Sequence, residues 1–310
     1  MMKVVKIEGH GVPKAFKCRE EPFPIPKHDE VVIQVLATCV NKMDLWRTCL
    51  KYELPPDWNP VPGIECVGTI IEVGKDVHEW KVSDQVCALV NGGGYAEAVV
   101  VRATQVLPLP LDRNFVYPLP LDQSFLYRIA GLPHAACTTW EAISRLGKLS
   151  ANMTLLVYER CGKICDLAVQ LAKIVQANVI VARDDWTFIK NFAHPTVDVK
   201  SPSFIEDVIE ATGDKKGVDL ILDSDVSTNG ILEARPLRFG GTIVLVDLGP
   251  EKVSIVNLWS MYSANAVLHV VDSMWWTPEY MAAVKLENKK SHWLSNAALA
   301  QSGDILTRNI

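Results

Sequence analysis

No uninterrupted apolar run in the 310-residue chain reaches the roughly 18 residues that a membrane-crossing helix needs. No CxxC pair occurs among the eight cysteines, which removes the usual framework of a structural zinc lobe. Positive charge is not in excess: 31 Lys and Arg stand against 36 Asp and Glu, a formal net charge of −5. That balance, with no basic cluster to offset it, argues against nucleic acid as the main partner. The N-terminal stretch "MMKVVKIEGHGVPKAFKC" alternates like a strand and lacks both the apolar core of a signal peptide and the Arg/Ser-rich helix of a transit peptide. The cytoplasm is therefore the default expectation, with an organelle left open. Glycine, finally, is scarce in the one loop where phosphate binding would call for it, residues 158–165.

What is present is the composition of an ordinary globular chain, 49% hydrophobic and 22% charged, long enough for two domains with cores of their own. The cysteines (Cys18, Cys39, Cys49, Cys66, Cys87, Cys137, Cys161, Cys165) are scattered through apolar stretches, as expected of reduced thiols packed as small hydrophobes. Cys161 and Cys165, four apart across a loop-to-helix junction, leave a metal or disulfide pairing as a minor alternative.

The first third is β-rich. "EVVIQVLAT" (30–38), "ECVGTIIEVG" (65–74), "DQVCALV" (84–90) and "GYAEAVVV" (94–101) are β-branched runs separated by Gly, Asp and Pro turns, which predicts a partly open barrel or sandwich. Residues 106–122 hold an internal echo, "VLPLPLDRNF" followed ten residues on by "VYPLPLDQSF". Two Pro-rich copies cannot build a solenoid and read as a duplicated surface linker at a domain boundary.

Beyond it, helices and strands alternate. "AACTTWEAISRL" is expected to be helical, "TLLVY" and "NVIVA" strands, and Ile164, Leu167, Ala168, Leu171, Ala172 and Val175 fall at helical spacing. "SFIEDVIEAT" reads as a helix closed by Gly213, and "VDLILDS", "GTIVLVDLG" and "NAVLHVV" as strands. This predicts an α/β fold: a β-rich domain over 1–122, a doubly wound parallel-sheet domain over 123–277 and a short segment over 278–310. Ligands in such sheets bind at the carboxyl ends of strands, and residues 158–165 lie at one.

Several long motifs in consistent order resemble the zinc-independent quinone-oxidoreductase branch of the medium-chain dehydrogenase/reductases. They are "NKMDLWR" (41–47), the run "VPGIECVGTIIEVGKDVHEWKVSDQVCALVNGGGYAEAVVVRATQVLPLP", "LPHAACTTWEAI" (132–143), "AVQLAK" (168–173) and "KKGVDLILD" (215–223). The resemblance implies a GroES-like catalytic domain, a Rossmann domain, NADPH- or NADH-dependent reduction of a quinone or enone, and frequent homodimerisation. Zinc-dependent relatives carry Gly-His-Glu where this chain has Gly63-Ile64-Glu65, and isoleucine cannot bind a metal, so no zinc is expected. By the same resemblance, Asn41, Tyr52 and Thr138 are the candidate catalytic residues beside nicotinamide and acceptor. A phenol or amide there can donate to a developing oxyanion. The plainer alternatives are a turn residue capped by Asp44 for Asn41, a loop aromatic on Pro55 and Pro56 for Tyr52, and a hydroxyl bonded to its own helix for Thr138.

The chain departs from that pattern in three places. Relatives use glycines where the pyrophosphate approaches the helix N-terminus. Here Glu159 and Arg160 replace the glycine pair, Gly162 holds the small position, and Lys163 and Cys165 replace the last two glycines. Arg160, Gly162 and Lys163 are the candidate cofactor contacts that remain, with Glu159 opposing them by charge. At the end of the next strand Arg183 is available for a 2′-phosphate, while Asp184 and Asp185 suit a ribose hydroxyl, and Phe188 stands at the Lys position. The chain also stops at "GDILTRNI", which leaves apolar surface to be bare or covered by a partner, and Trp275, Trp276 and Tyr280 form either part of an interaction surface or core. Two functional expectations result: a zinc-free NAD(P)H reductase of weakened or lost activity, or a catalytically silent scaffold or accessory subunit.

Overall fold

A computed structural model describes residues 1–9, 15–48, 54, 58–109, 123–184, 194–224, 231–232, 234–249, 255–271, 280 and 283. Its contacts divide the chain into two units, Met1–Cys137 with Ser273–Ile310, and Thr138–Asp272.

The first unit opens with an antiparallel pair, β1 (Met2–Ile7) and β2 (Phe16–Glu21). Its main sheet contains β3 (Glu30–Thr38), β4 (Glu65–Val73), β5 (Gln85–Leu89), β6 (Ala98–Arg102) and β7 (Val106–Pro108), in the order β6-β3-β4-β5-β7 with every pairing antiparallel. Register shifts between β3 and β4 at Val32/Ile33 and Val35/Ala37 bend the sheet on itself, as bulges do. Gly68 permits the crossing, because an added Cβ would come within 2.0 Å of the Gln34 carbonyl oxygen. Val31, Ile33, Ile70, Val86, Val99, Val101 and Val106 fill the interior. A one-turn helix, α1 (Lys42–Trp46), follows β3. Helix α2 (Gln123–Ala130) packs on β3 and β4, so it belongs to this unit, and the division falls within α3 (Pro133–Thr139) rather than at 122/123.

The second unit runs β8 (Thr154–Tyr158), α4 (Lys163–Ile174), β9 (Asn178–Arg183), β10 (Thr196–Asp198), α5 (Phe204–Ala211), β11 (Val218–Asp223), β12 (Ile231–Leu232), β13 (Leu237–Val246), β14 (Ile255–Val256), α6 (Leu258–Ala264) and β15 (Val267–Val271). Six strands form one parallel sheet in the order β10-β9-β8-β11-β13-β15, with β12 and β14 a separate small pair. From β8 the chain moves outward to β9 and β10, then returns to the other side of β8 at β11. The reversal leaves the β8 carboxyl end at the topological switch, where such sheets take their ligands. Helix α4 buries Ile164, Leu167, Ala168, Leu171 and Ala172, the stripe that its spacing predicts. The expected single helix over "AACTTWEAISRL" is instead α3 followed by a wider π-helical turn, Trp140–Leu146, closed by Gly147 N–H donating to the Ala142 carbonyl at 2.9 Å. No helix among the described residues is long and apolar enough to cross a membrane.

Candidate functional site

In the first unit the candidate Asn41 lies between two fully buried carboxylates, those of Asp44 and Glu65. The turn between β3 and α1 brings Asn41 and Asp44 together: the Asn41 N–H donates to Asp44 Oδ2 at 2.9 Å, and the Asp44 N–H donates to the Asn41 carbonyl at 3.1 Å. Asp44 Oδ1 also accepts the Gly63 N–H at 2.8 Å, and Oδ2 accepts the Tyr95 hydroxyl at 2.9 Å. Burial and the facing Asp44 charge push the Tyr95 phenol well above its usual range, so it stays a neutral donor. The glycine-rich stretch 91–98 thus places Tyr95 as the anchor of the β3–α1 turn.

Glu65, at the start of β4, accepts the Asn41 side-chain amide (Nδ2) at Oε1, 2.8 Å, and the His134 backbone N–H at Oε2, 2.9 Å. The capped-turn alternative for Asn41 holds for its backbone, while its side chain is oriented by Glu65. Beside it Ile64 packs on Met43, Trp46 and Trp58, an apolar contact where a metal ligand would otherwise project. Cys66 and Cys137 are buried near Glu65; burial first, and the Glu65 charge second, push both thiols up to about 12. Thiols so placed stay protonated at neutral pH and pack as small apolar groups. Among the described residues no three His, Cys, Asp or Glu side chains are grouped to hold a metal ion.

Thr138, in the last turn of α3, is almost fully buried, and its hydroxyl has no hydrogen-bond partner among the described residues. The backbone-bonded alternative is therefore not realised. Tyr52 lies outside the described residues, as do Asp185, Phe188, Trp275 and Trp276.

In the second unit the phosphate loop is a short 3₁₀ turn, Glu159–Cys161, then Gly162 and the start of α4. Gly162 caps the helix at φ 60° and ψ −123°, a conformation that side chains resist, yet an added Cβ would meet nothing within 4 Å. Gly162→Ala is accordingly expected to cost about 1–3 kcal/mol through backbone strain alone, read as a lower denaturation midpoint with the fold unchanged.

Both arginines are held by carboxylates. Arg160 forms a bidentate pair with Asp223 at the end of β11 (Nε to Oδ1 2.8 Å, Nη2 to Oδ2 2.6 Å) and lies over the Tyr158 ring, 4.3 Å from its centroid. Arg183, whose side chain is only 2% exposed, pairs with Glu159 (Nε to Oε2 2.8 Å, Nη2 to Oε1 3.3 Å). The β8 turn is thereby tied to the ends of both neighbouring strands. Lys163 is exposed at the first turn of α4, and Asp184 follows β9 with its carbonyl accepting Lys200 Nζ at 2.7 Å. Cys161 and Cys165 are buried and not joined by a disulfide. Tested against a dinucleotide, the parts divide. Thr138 leaves a buried hydroxyl for a ligand amide; the loop presents a carboxylate and two occupied guanidinium groups where a pyrophosphate would need donors.

Sequence reasoning missed the partners rather than the residues. Asp223 ends an expected strand and Glu65 occupies a recognised motif, but nothing local in the sequence pairs Asp223 with Arg160 or sets Glu65 between Asn41 and His134.

The five-stranded antiparallel sheet is a GroES-like arrangement, and the six-stranded parallel sheet with its topological switch is a Rossmann-like one. The alcohol dehydrogenase GroES-like domain matches residues 27–111. Quinone oxidoreductase of Mus musculus is 26% identical over 262 residues, covering 82% of this chain and 76% of that protein. Synaptic vesicle membrane protein VAT-1 homolog-like of Mus musculus is 28% identical over 297 residues, covering 93% of this chain and 65% of that one. Among solved structures, quinone oxidoreductase of Pseudomonas syringae pv. tomato DC3000 superposes with a TM-score of 0.74 at 20% identity, over 100% of this chain and 98% of that one. CurK enoyl reductase gives a TM-score of 0.75 at 19% identity, over 94% and 88%. Within that likeness, the chain is similar over most of its length to proteins of the quinone-oxidoreductase type.

Proposed function

We propose that the chain is an NAD(P)H-dependent, zinc-free oxidoreductase of the quinone/enone-reductase type, cytoplasmic and weakened by its phosphate loop. The carrying observation is the Thr138 hydroxyl: a buried, unpartnered hydroxyl costs about 1–3 kcal/mol, a loss that a ligand carboxamide would recover. A bound nicotinamide would supply the hydride. The chain's own contribution is positioning. Glu65 accepts both the Asn41 amide and the His134 N–H, so the donor side chain is fixed within the first unit. With no metal to polarise an acceptor carbonyl, hydrogen-bond donors such as the Asn41 amide take that task.

A second reading, a catalytically silent scaffold or accessory subunit that acts through a second copy or a larger assembly, is favoured by one observation: both loop-side arginines are already paired. Titration with NADPH and NADH, followed by thermal shift and nicotinamide fluorescence, separates the two. Dissociation constants of about 0.1–1 mM, some 4–5.5 kcal/mol of binding, are expected for the weakened enzyme. Micromolar binding would remove the weakening. Absence of any shift at about 10 mM, where a 1 mM site would be some nine-tenths filled, would replace the enzyme with the silent subunit.

A further inference from the structure

We infer that Glu159 is a built-in occupant of the cofactor phosphate site, a carboxylate that clamps Arg183 and so abolishes preference for NADPH over NADH. The inference rests on the dinucleotide reading for the location of the site, not on turnover.

The register explains the clamp. Parallel pairing sets Tyr158 beside Ala182, so the next residues, Glu159 and Arg183, leave adjacent strands side by side. Glu159 Oε1 accepts the Nη2 hydrogen bond at 3.3 Å, and Oε2 lies 2.8 Å from Nε as an ion-pair contact outside hydrogen-bond alignment, so the carboxylate occupies the side of the guanidinium that a phosphate would approach. Arg183 stands at the end of the second strand of the unit, where doubly wound folds place the group that meets the adenosine ribose or its 2′-phosphate. With its side chain 2% exposed and Glu159 14% exposed, the pair is shielded from solvent, so salt screens it little. A 2′-phosphate arriving here meets a neutralised arginine and has to displace a fixed carboxylate of its own sign. NADH, which lacks that phosphate, is indifferent to the clamp.

Removing the carboxylate takes away the counter-charge that Glu159 supplies to the buried guanidinium, and a phosphate is a ligand that replaces it. The test compares NADPH and NADH dissociation constants by thermal shift and calorimetry, with circular dichroism confirming the fold of each variant. Wild type is expected to bind the two cofactors within about twofold of each other, a difference below 0.5 kcal/mol. Glu159→Gln is expected to bind NADPH about tenfold more tightly with NADH unchanged, and to lose that gain as salt is raised. A paired variant, Glu159→Leu with Arg183→Met, replaces the ion pair by apolar side chains, a change that proteins tolerate well. It keeps the proposal testable if Glu159→Gln fails to fold, and its NADPH affinity is expected to stay within about twofold of wild type, because Arg183 is already unavailable.

A wild type that prefers NADPH tenfold or more, a folded Glu159→Gln with no gain or with an equal gain for both cofactors, or a paired variant that loses NADPH binding alone would each overturn the clamp. If wild type binds neither cofactor, the enzyme reading fails, while NADPH binding that appears in Glu159→Gln still supports the clamp.

Discussion

Asp44→Ala is expected to destabilise the first unit by about 3–5 kcal/mol, the largest effect of any single substitution at the candidate site. The side chain is fully buried and serves three donors, the N–H groups of Asn41 and Gly63 and the hydroxyl of Tyr95. Alanine leaves all three without an acceptor. The Tyr95 hydroxyl is part-buried and can turn toward water, but the two backbone N–H groups cannot move without breaking the turn, and each unsatisfied buried donor costs about 1–3 kcal/mol. Asp44→Asn does not rescue the site. In either amide orientation the NH₂ faces a backbone N–H, Asn41 on one side or Gly63 on the other, so a loss of about 2 kcal/mol is expected. Scanning calorimetry reads the order wild type, Asn, Ala directly, with a fall on the order of 10 °C for alanine in a unit of this size. A fall of only a degree or two would mean that water reaches these groups and that the turn is not anchored as described. Because the same turn carries Asn41, any cofactor-linked activity is expected to fall with Asp44→Ala even below the melting transition.

The strands that position this turn were legible because their signals are local. β3 coincides with "EVVIQVLAT", and β4, β8, β9 and β11 fall inside runs of β-branched residues bounded by Gly, Asp or Pro. Helix α4 follows its apolar stripe for the same reason. Legibility fails where a feature depends on neighbours distant in sequence. β10 has only three residues and exists because β9 offers it an edge, and β13 starts at Leu237 rather than Gly241 because Val218 of β11 pairs with it there. The candidate site shows the same limit more sharply. Arg160 and Arg183 were recognised as cations near a phosphate loop, but their carboxylates lie 63 and 24 residues away, and only the parallel register brings them together. Likewise Glu65 was readable as part of a motif that had lost its histidine. Its hold on Asn41 and His134 needed the sheet to curl and α3 to return. Residue chemistry is carried by the sequence alone, whereas the pairing that decides whether a charge remains available belongs to the fold.

That distinction gives Asp223 a second large expected effect. Asp223→Ala should destabilise the second unit by about 3 kcal/mol, at the lower end for breaking a buried pair. The carboxylate is 5% exposed, takes both Nε and Nη2 of Arg160, and also accepts the Ser224 N–H at 2.7 Å. Alanine strands the guanidinium against the Tyr158 ring, a contact worth about 0.5–2 kcal/mol that does not replace a counter-charge. Arg160 is 16% exposed, so some water reaches it and trims the cost. Asp223→Asn keeps one acceptor for Arg160 or Ser224 but not the charge, and about half the loss is expected. The decisive comparison is the double variant Asp223→Leu with Arg160→Met, expected within about 1 kcal/mol of wild type because neither charge is left behind. A double-mutant cycle on the calorimetric midpoints should therefore return a coupling of about 2–3 kcal/mol between the two side chains. Additive losses would instead mean that Asp223 acts through Ser224 and local packing. The β8 turn would then be shaped by its backbone, with the ion pair incidental to it.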